Sequence, residues 1–185
     1  MAMTLLVLEL RVPSLPPGTT KIPEHALWQA LAHLAPQILI YMMSFLTLGI
    51  FWVGQQTQMN YLERSHRSLA WIHMAFLFTI TLMPFSTRLL AEFIEYRVAL
   101  LAYWFNILLG GVALYLIWTC ATKLGLTKSE TPADVPRAIE RRIVIAQTLY
   151  AAGALLCIFS TYWSIAFIVL VQLNYAIAPR LGQHD

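Results

Sequence analysis

Four residues near the start of the chain combine types and spacing that could act on an ion. Met1, Leu5 and Leu8 stand four and three apart, which places them on one face of a helix. Thr4 falls beside that face, within a turn of both Met1 and Leu8. Rings of leucine from symmetric copies can close a pore by dewetting, and a ring of hydroxyls beside them can replace part of an ion's hydration shell. The same stripe would also serve as a lipid-facing or packing face, which any span needs. Pattern does not choose between the two.

Other chemistries find less support. Glu9 sits at the end of its apolar stretch, where water or loop amides meet a carboxylate in the ordinary way. His33 and His73 lie within or beside apolar runs, but a zinc site needs three or four converging ligands, and the five histidines show no HExxH or clustered spacing. A structural histidine is the plainer reading and a ligand or proton relay the sharper one. A Ser-His-Asp device would need a carboxylate that the apolar runs do not supply, so no enzyme is expected. Cys120 and Cys157 both fall in apolar runs and read as buried thiols, with no cofactor or metal implied. Gly110-Gly111 and the small residues 151–154 read as helix-packing faces. Gln55 and Gln56 read as polar caps or inter-helix hydrogen-bond partners. A net charge of +3 spread over loops gives nucleic acid no footing.

The elements that must position these residues follow from charge-free runs. Of 185 residues, 59% are apolar and 11% charged, against about 25% charged in soluble domains. The runs free of Asp, Glu, Lys and Arg are 38 residues between Glu24 and Glu63, 20 between Arg67 and Arg88, 25 between Arg97 and Lys123, and 37 between Arg142 and Arg180. A transmembrane helix needs about 20 mostly apolar residues, so the chain reads as an all-α, polytopic membrane protein with six spans in one transmembrane domain. The expected spans are residues 1–10, 37–56, 69–84, 98–122, 138–159 and 163–178. The first would reach only about 15 Å, against a hydrocarbon core of about 30 Å. It reads as the second half of a helix whose first half is missing, through truncation or a misassigned start.

Prolines and charges mark the connections. Residues 13–23, PSLPPGTTKIP, hold four prolines and read as an extended loop outside the hydrocarbon. Residues 26–35 read as an interfacial or pore-mouth helix, with Trp28 as an anchor and Pro36 as a kink or as the start of the second span. Gly49 and Ser44 in that span suit close helix contact. Pro84 is expected to end the third span, with residues 87–97 as a charged turn. The last apolar run is expected to turn near residues 160–164. With six spans and the N-terminus on the cytoplasmic side, Lys and Arg number eight on that side and four on the other. The positive-inside rule then places both termini in the cytoplasm.

The run AMTLLVLELRVP at residues 2–13 resembles the end of the first helix of the transmembrane protein 175 family, the endosomal and lysosomal potassium channels with bacterial relatives. SFLTLGIFWV at 44–53 resembles the family's second helix, and LAWIHMAFLF at 69–78 with LMPFSTRLLAEF at 82–93 its third helix and the following turn. The later chain matches mainly in hydropathy. The resemblance implies a bacterial cell membrane protein, six helices per subunit, a homotetramer, and a central potassium-permeable pore lined by the first helix. It aligns Met1, Leu5 and Leu8 with the family's bulky constrictions and Thr4 with its threonine layer. Two departures stand out. The family's RxxxFSD motif is absent, and Gln55 and Gln56 after Trp52 replace the histidines of a polar network that helps pack the first helix.

The reading is therefore a subunit of a potassium-permeable cation channel whose partners are copies of itself, the lipid bilayer and monovalent cations. Two rivals stay open. A secondary transporter would show an inverted repeat and broken helices at the midplane, and neither is visible. A non-conducting membrane scaffold remains the other.

Overall fold

A computed structural model describes residues 24–177. These form five α-helices: α1 (Glu24–Asn60), α2 (Arg67–Glu92), α3 (Arg97–Lys123), α4 (Val135–Leu155) and α5 (Thr161–Ile177), with a 3-10 turn, Leu156–Ile158, between the last two. Four stretches are long and apolar enough to cross a membrane: Leu34–Asn60, Arg67–Glu92, Arg97–Lys123 and Val135–Ile158. Thr161–Ala176 is a shorter apolar helix. The chain is thus an all-α, multi-pass membrane protein. The first expected span, residues 1–10, and the loop at 13–23 lie outside the described residues.

Three boundaries differ from the sequence reading. Residues 26–35 are not a separate helix, because α1 runs unbroken through Pro36. One proline removes a single N–H from the ladder, and helices in apolar surroundings tolerate that loss where neighbours re-satisfy the backbone. The stop expected at Pro84 does not occur either, and α2 continues to Glu92. Hydroxyls hold the turn after the proline together: Ser86 and Thr87 both donate to the carbonyl of Met83, at 3.0 and 2.7 Å. Across the helix pair, Asn106 of α3 bonds the same turn. In the amide orientation that satisfies both its atoms, it donates to the Thr79 carbonyl at 3.2 Å, and its oxygen lies 3.2 Å from Ser86 Oγ, whose single proton also faces the Met83 carbonyl. Much of the expected charged turn is therefore helix, with Arg88 and Glu92 paired at 3.1 Å one turn apart.

The third difference is the turn before α5. It lies at Leu156–Ser160, not at 160–164, and Ser164 is inside the helix. Ser164 is fully buried and its Oγ donates to the carbonyl of Gly153 at 2.6 Å. Gly153 permits this approach, since a Cβ there would meet Ile168 Cγ1 at 2.9 Å.

The core lies between α1, α2, α3 and the inner faces of α4 and α5. Its largest fully buried side chains include Trp118, Tyr103, Phe76, Ile40 and Met43. The loops at one end are tied together. Glu63 N–H donates to the Leu126 carbonyl and Lys128 N–H to the Tyr61 carbonyl, each at 2.9 Å, forming a bridge between Leu62 and Thr127. Gly125 makes the approach possible at φ 62°, a conformation that costs glycine little. Trp118 closes this end, donating from Nε1 to the Pro136 carbonyl at 3.1 Å with its ring edge-on to Tyr61.

Candidate functional site

Met1, Thr4, Leu5 and Leu8, the residues proposed to meet an ion, lie outside the described residues. The structure describes the residues of the second helix expected to pack near them by sequence. Of the three residues expected to form a polar packing network, Trp52 is 58% exposed on α1, Gln55 is half-buried and Gln56 is exposed. The buried amide of that region is Gln58, whose Nε2 donates to the Leu114 carbonyl of α3 at 3.1 Å.

A deeper polar cluster joins four of the five described helices, α1, α2, α3 and α5. Ser44 and Thr47, one helical turn apart on α1, are buried, and each donates back to its own helix, to the carbonyls of Ile40 and Met43 at 3.0 Å. Back-bonding of this kind lets a hydroxyl sit in an apolar helix without an unmet donor. Their oxygens then serve partners from elsewhere. Thr87 Oγ1 of α2, whose single proton also faces the Met83 carbonyl, lies 2.7 Å from Ser44 Oγ. The hydroxyl of Tyr103 on α3 lies 3.0 Å from Thr47 Oγ1 and 3.3 Å from Ser44 Oγ. Gln172 of α5, fully buried, donates from Nε2 to Thr47 Oγ1 at 2.6 Å. The cluster carries no charge, so it has no ion to desolvate and holds its helices by neutral hydrogen bonds alone.

Sequence reasoning marked Ser44 as a small residue suited to close contact, but missed Thr47, Thr87, Tyr103 and Gln172. The usable signal was a serine and a threonine three apart in a charge-free run, with a tyrosine and a glutamine in two later ones. Nothing in the one-dimensional pattern joins them.

The remaining candidates resolve simply. His73 Nδ1 lies 3.0 Å from the Leu69 carbonyl of its own helix, a structural placement. Among the described residues no group of three His, Cys, Asp or Glu could hold a metal ion. Cys120 and Cys157 are free thiols, half-buried and buried. Gly110 and Gly111 are packing positions: the ring of Phe51 covers the first, and the amide of Gln147 sits where a Cβ of the second would be.

Comparison with known proteins gives this frame its context. A family model described as endosomal/lysosomal potassium channel TMEM175 matches residues 1–84. A potassium channel of Streptomyces collinus is 28% identical over 180 residues, covering 94% of this chain and 84% of that protein. A potassium channel of a Chryseobacterium species is 25% identical over 179 residues, covering 96% and 86%. Among solved structures, the crystal structure of a lysosomal potassium-selective channel TMEM175 homologue from Chamaesiphon minutus matches with a TM-score of 0.78 and 26% identity, over 97% of this chain and 90% of that one.

Proposed function

We propose, from its likeness to the TMEM175 family and to bacterial potassium channels, that this chain is a bacterial member of that family and one subunit of a potassium-permeable cation channel. The single observation that carries the reading is the likeness, over 97% of the chain, to a solved potassium-selective channel. A channel needs no catalytic group and no resident cofactor, and its substrate is the permeant ion.

In this proposal four copies surround a central axis and the first helix lines it. Leu5 and Leu8, with Met1, are the hydrophobic constrictions, and Thr4 is the polar layer. The support is their spacing on one helical face and their match to the family's pore pattern. The described helices form the frame against which the pore helix rests. Trp52, Gln55 and Gln56 take part in packing the first helix, a role supported by the side chains of Trp52 and Gln56 remaining exposed on α1. The membrane is the bacterial inner membrane with both termini cytoplasmic, supported by eight Lys and Arg against four.

Recording of single channels from reconstituted protein tests the pore assignment. Leu8→Ala is expected to raise conductance or open probability by widening and wetting the constriction. Conduction identical to that of the parent would remove Leu8 from the pore. Light scattering of the detergent-solubilised protein, corrected for detergent, should return four times the subunit mass.

A further inference from the structure

The apolar faces of α1 and α4 have no substantial packing on each other. Between them, with α3 and α5 closing the sides, lies a partly open cavity of ≈ 100 Å³. Its walls are mainly hydrocarbon, from Ile50, Phe51, Leu114, Ile139 and Ile143 among others. A dry apolar cavity of about 150 Å³ is enough to take up benzene, so this one has room for a few methylenes. One lining residue is charged. Arg142 lies two turns inside the membrane-crossing stretch Val135–Ile158. Its guanidinium rests 6.0 Å above the Tyr175 ring, and among the described residues it has no carboxylate partner.

Charges inside spans are costly and mark sites of function. An arginine with its fork unpaired beside an apolar cavity calls for an anion attached to hydrocarbon. Two further lining residues add a second requirement. Gln58 and Gln147 each keep a buried Oε1 that meets no donor. Buried acceptors of this kind cost free energy until a hydroxyl or amine reaches them.

We propose that this cavity holds an anionic glycerophospholipid whose head group carries free hydroxyls. Its phosphate pairs with Arg142, a head-group hydroxyl meets the Gln58 or Gln147 carboxamide once that side chain turns outward, and the start of one acyl chain lies along Ile50, Phe51 and Ile143. The lipid joins α1 to α4, two helices that otherwise lack a direct seam. The leaflet is the one at the N-terminal end of α4, where Arg137 and Arg141 add to the attraction for anionic head groups.

Native mass spectrometry of the whole protein, exchanged into phosphatidylglycerol or phosphatidylcholine of identical acyl chains, tests this without reference to conduction. Phosphatidylglycerol should bind with at least about tenfold preference. Arg142→Gln should abolish the preference, Arg142→Lys should keep part of it, and Arg137→Gln should leave most of it. Ile143→Trp, which fills the cavity and keeps the charge, should reduce retention of the lipid. A preference that survives Arg142→Gln, or that falls equally with Arg137→Gln, overturns the proposal. So does equal retention of the two lipids, which is the result if water alone fills the cavity.

Discussion

Gln172 and Thr47 are 125 positions apart in the chain, and their side chains meet at 2.6 Å in the centre of the bundle. The bond ties α5 to α1, the last described helix to the first. Through Thr47 it reaches Tyr103 on α3, and through Tyr103 and Ser44 it reaches Thr87 on α2. Hydroxyls and one carboxamide thus do what charges cannot do cheaply at membrane depth.

Breaking this cluster should cost a modest and shared amount. Inter-helix hydrogen bonds in membranes contribute about 0.6–2 kcal/mol each. Tyr103→Phe and Gln172→Leu are each expected to lower unfolding stability by about 1 kcal/mol. Because both partners act on Thr47 Oγ1, the double variant should show a coupling of about 0.5 kcal/mol or more. A double-mutant cycle by denaturant titration in mixed micelles measures it, and strict additivity would separate the two bonds.

Gly110 and Gly49 should respond in opposite ways to the same change. A Cβ at Gly110 would stand 2.8 Å from Cζ of the buried Phe51. Gly110→Ala is therefore expected to destabilise by about 1–3 kcal/mol through overpacking, and Phe51→Leu should recover part of that. At Gly49 no heavy atom of the described residues lies within 4 Å of the built Cβ. Gly49→Ala should gain up to about 1 kcal/mol from helix propensity. Melting temperatures of the three variants decide this, and a loss at Gly49 would reveal a close contact with a neighbouring helix.

Trp118 should control the loop end. Its indole N–H holds the Pro136 carbonyl at 3.1 Å, and its ring meets Tyr61 at a centroid distance of 6.2 Å. Trp118→Phe removes the hydrogen bond while keeping most of the buried ring. The expected cost is about 1 kcal/mol. Hydrogen exchange should speed up at the start of α4 and at the amides of Glu63 and Lys128, which bridge the two loops. Unchanged exchange there would mean that the bridge stands without the indole.

The two thiols should differ in access. Cys120 is half-buried near the end of α3, and Cys157 is buried in the 3-10 turn. Maleimide labelling of the folded protein, read by peptide mass, should reach Cys120 first, and reductant should leave the melting temperature unchanged. Faster labelling at Cys157 would show that the turn at 156–158 opens.

The helical membrane architecture was legible in the chain because charge is so costly in hydrocarbon that its absence over 20 or more residues leaves few alternatives. The apolar stripe of Met1, Leu5 and Leu8 was legible as a pattern only; the pore role proposed for it rests on resemblance, since one face of leucines suits lipid as well as an ion path. The proline rule misled at Pro36 and Pro84. It describes a helix that must satisfy its own backbone, whereas the hydroxyls of Ser86 and Thr87 and the amide of Asn106 support the turn after Pro84.

Only the tertiary structure decided which polar residues within the spans matter. Thr47, Thr87, Tyr103 and Gln172 are each unremarked in their own apolar runs, because a hydroxyl that bonds back to its helix barely alters hydropathy or periodicity. Their meaning lies in partners 43 to 125 positions away. Packing brings such partners together, and no local spacing encodes that distance.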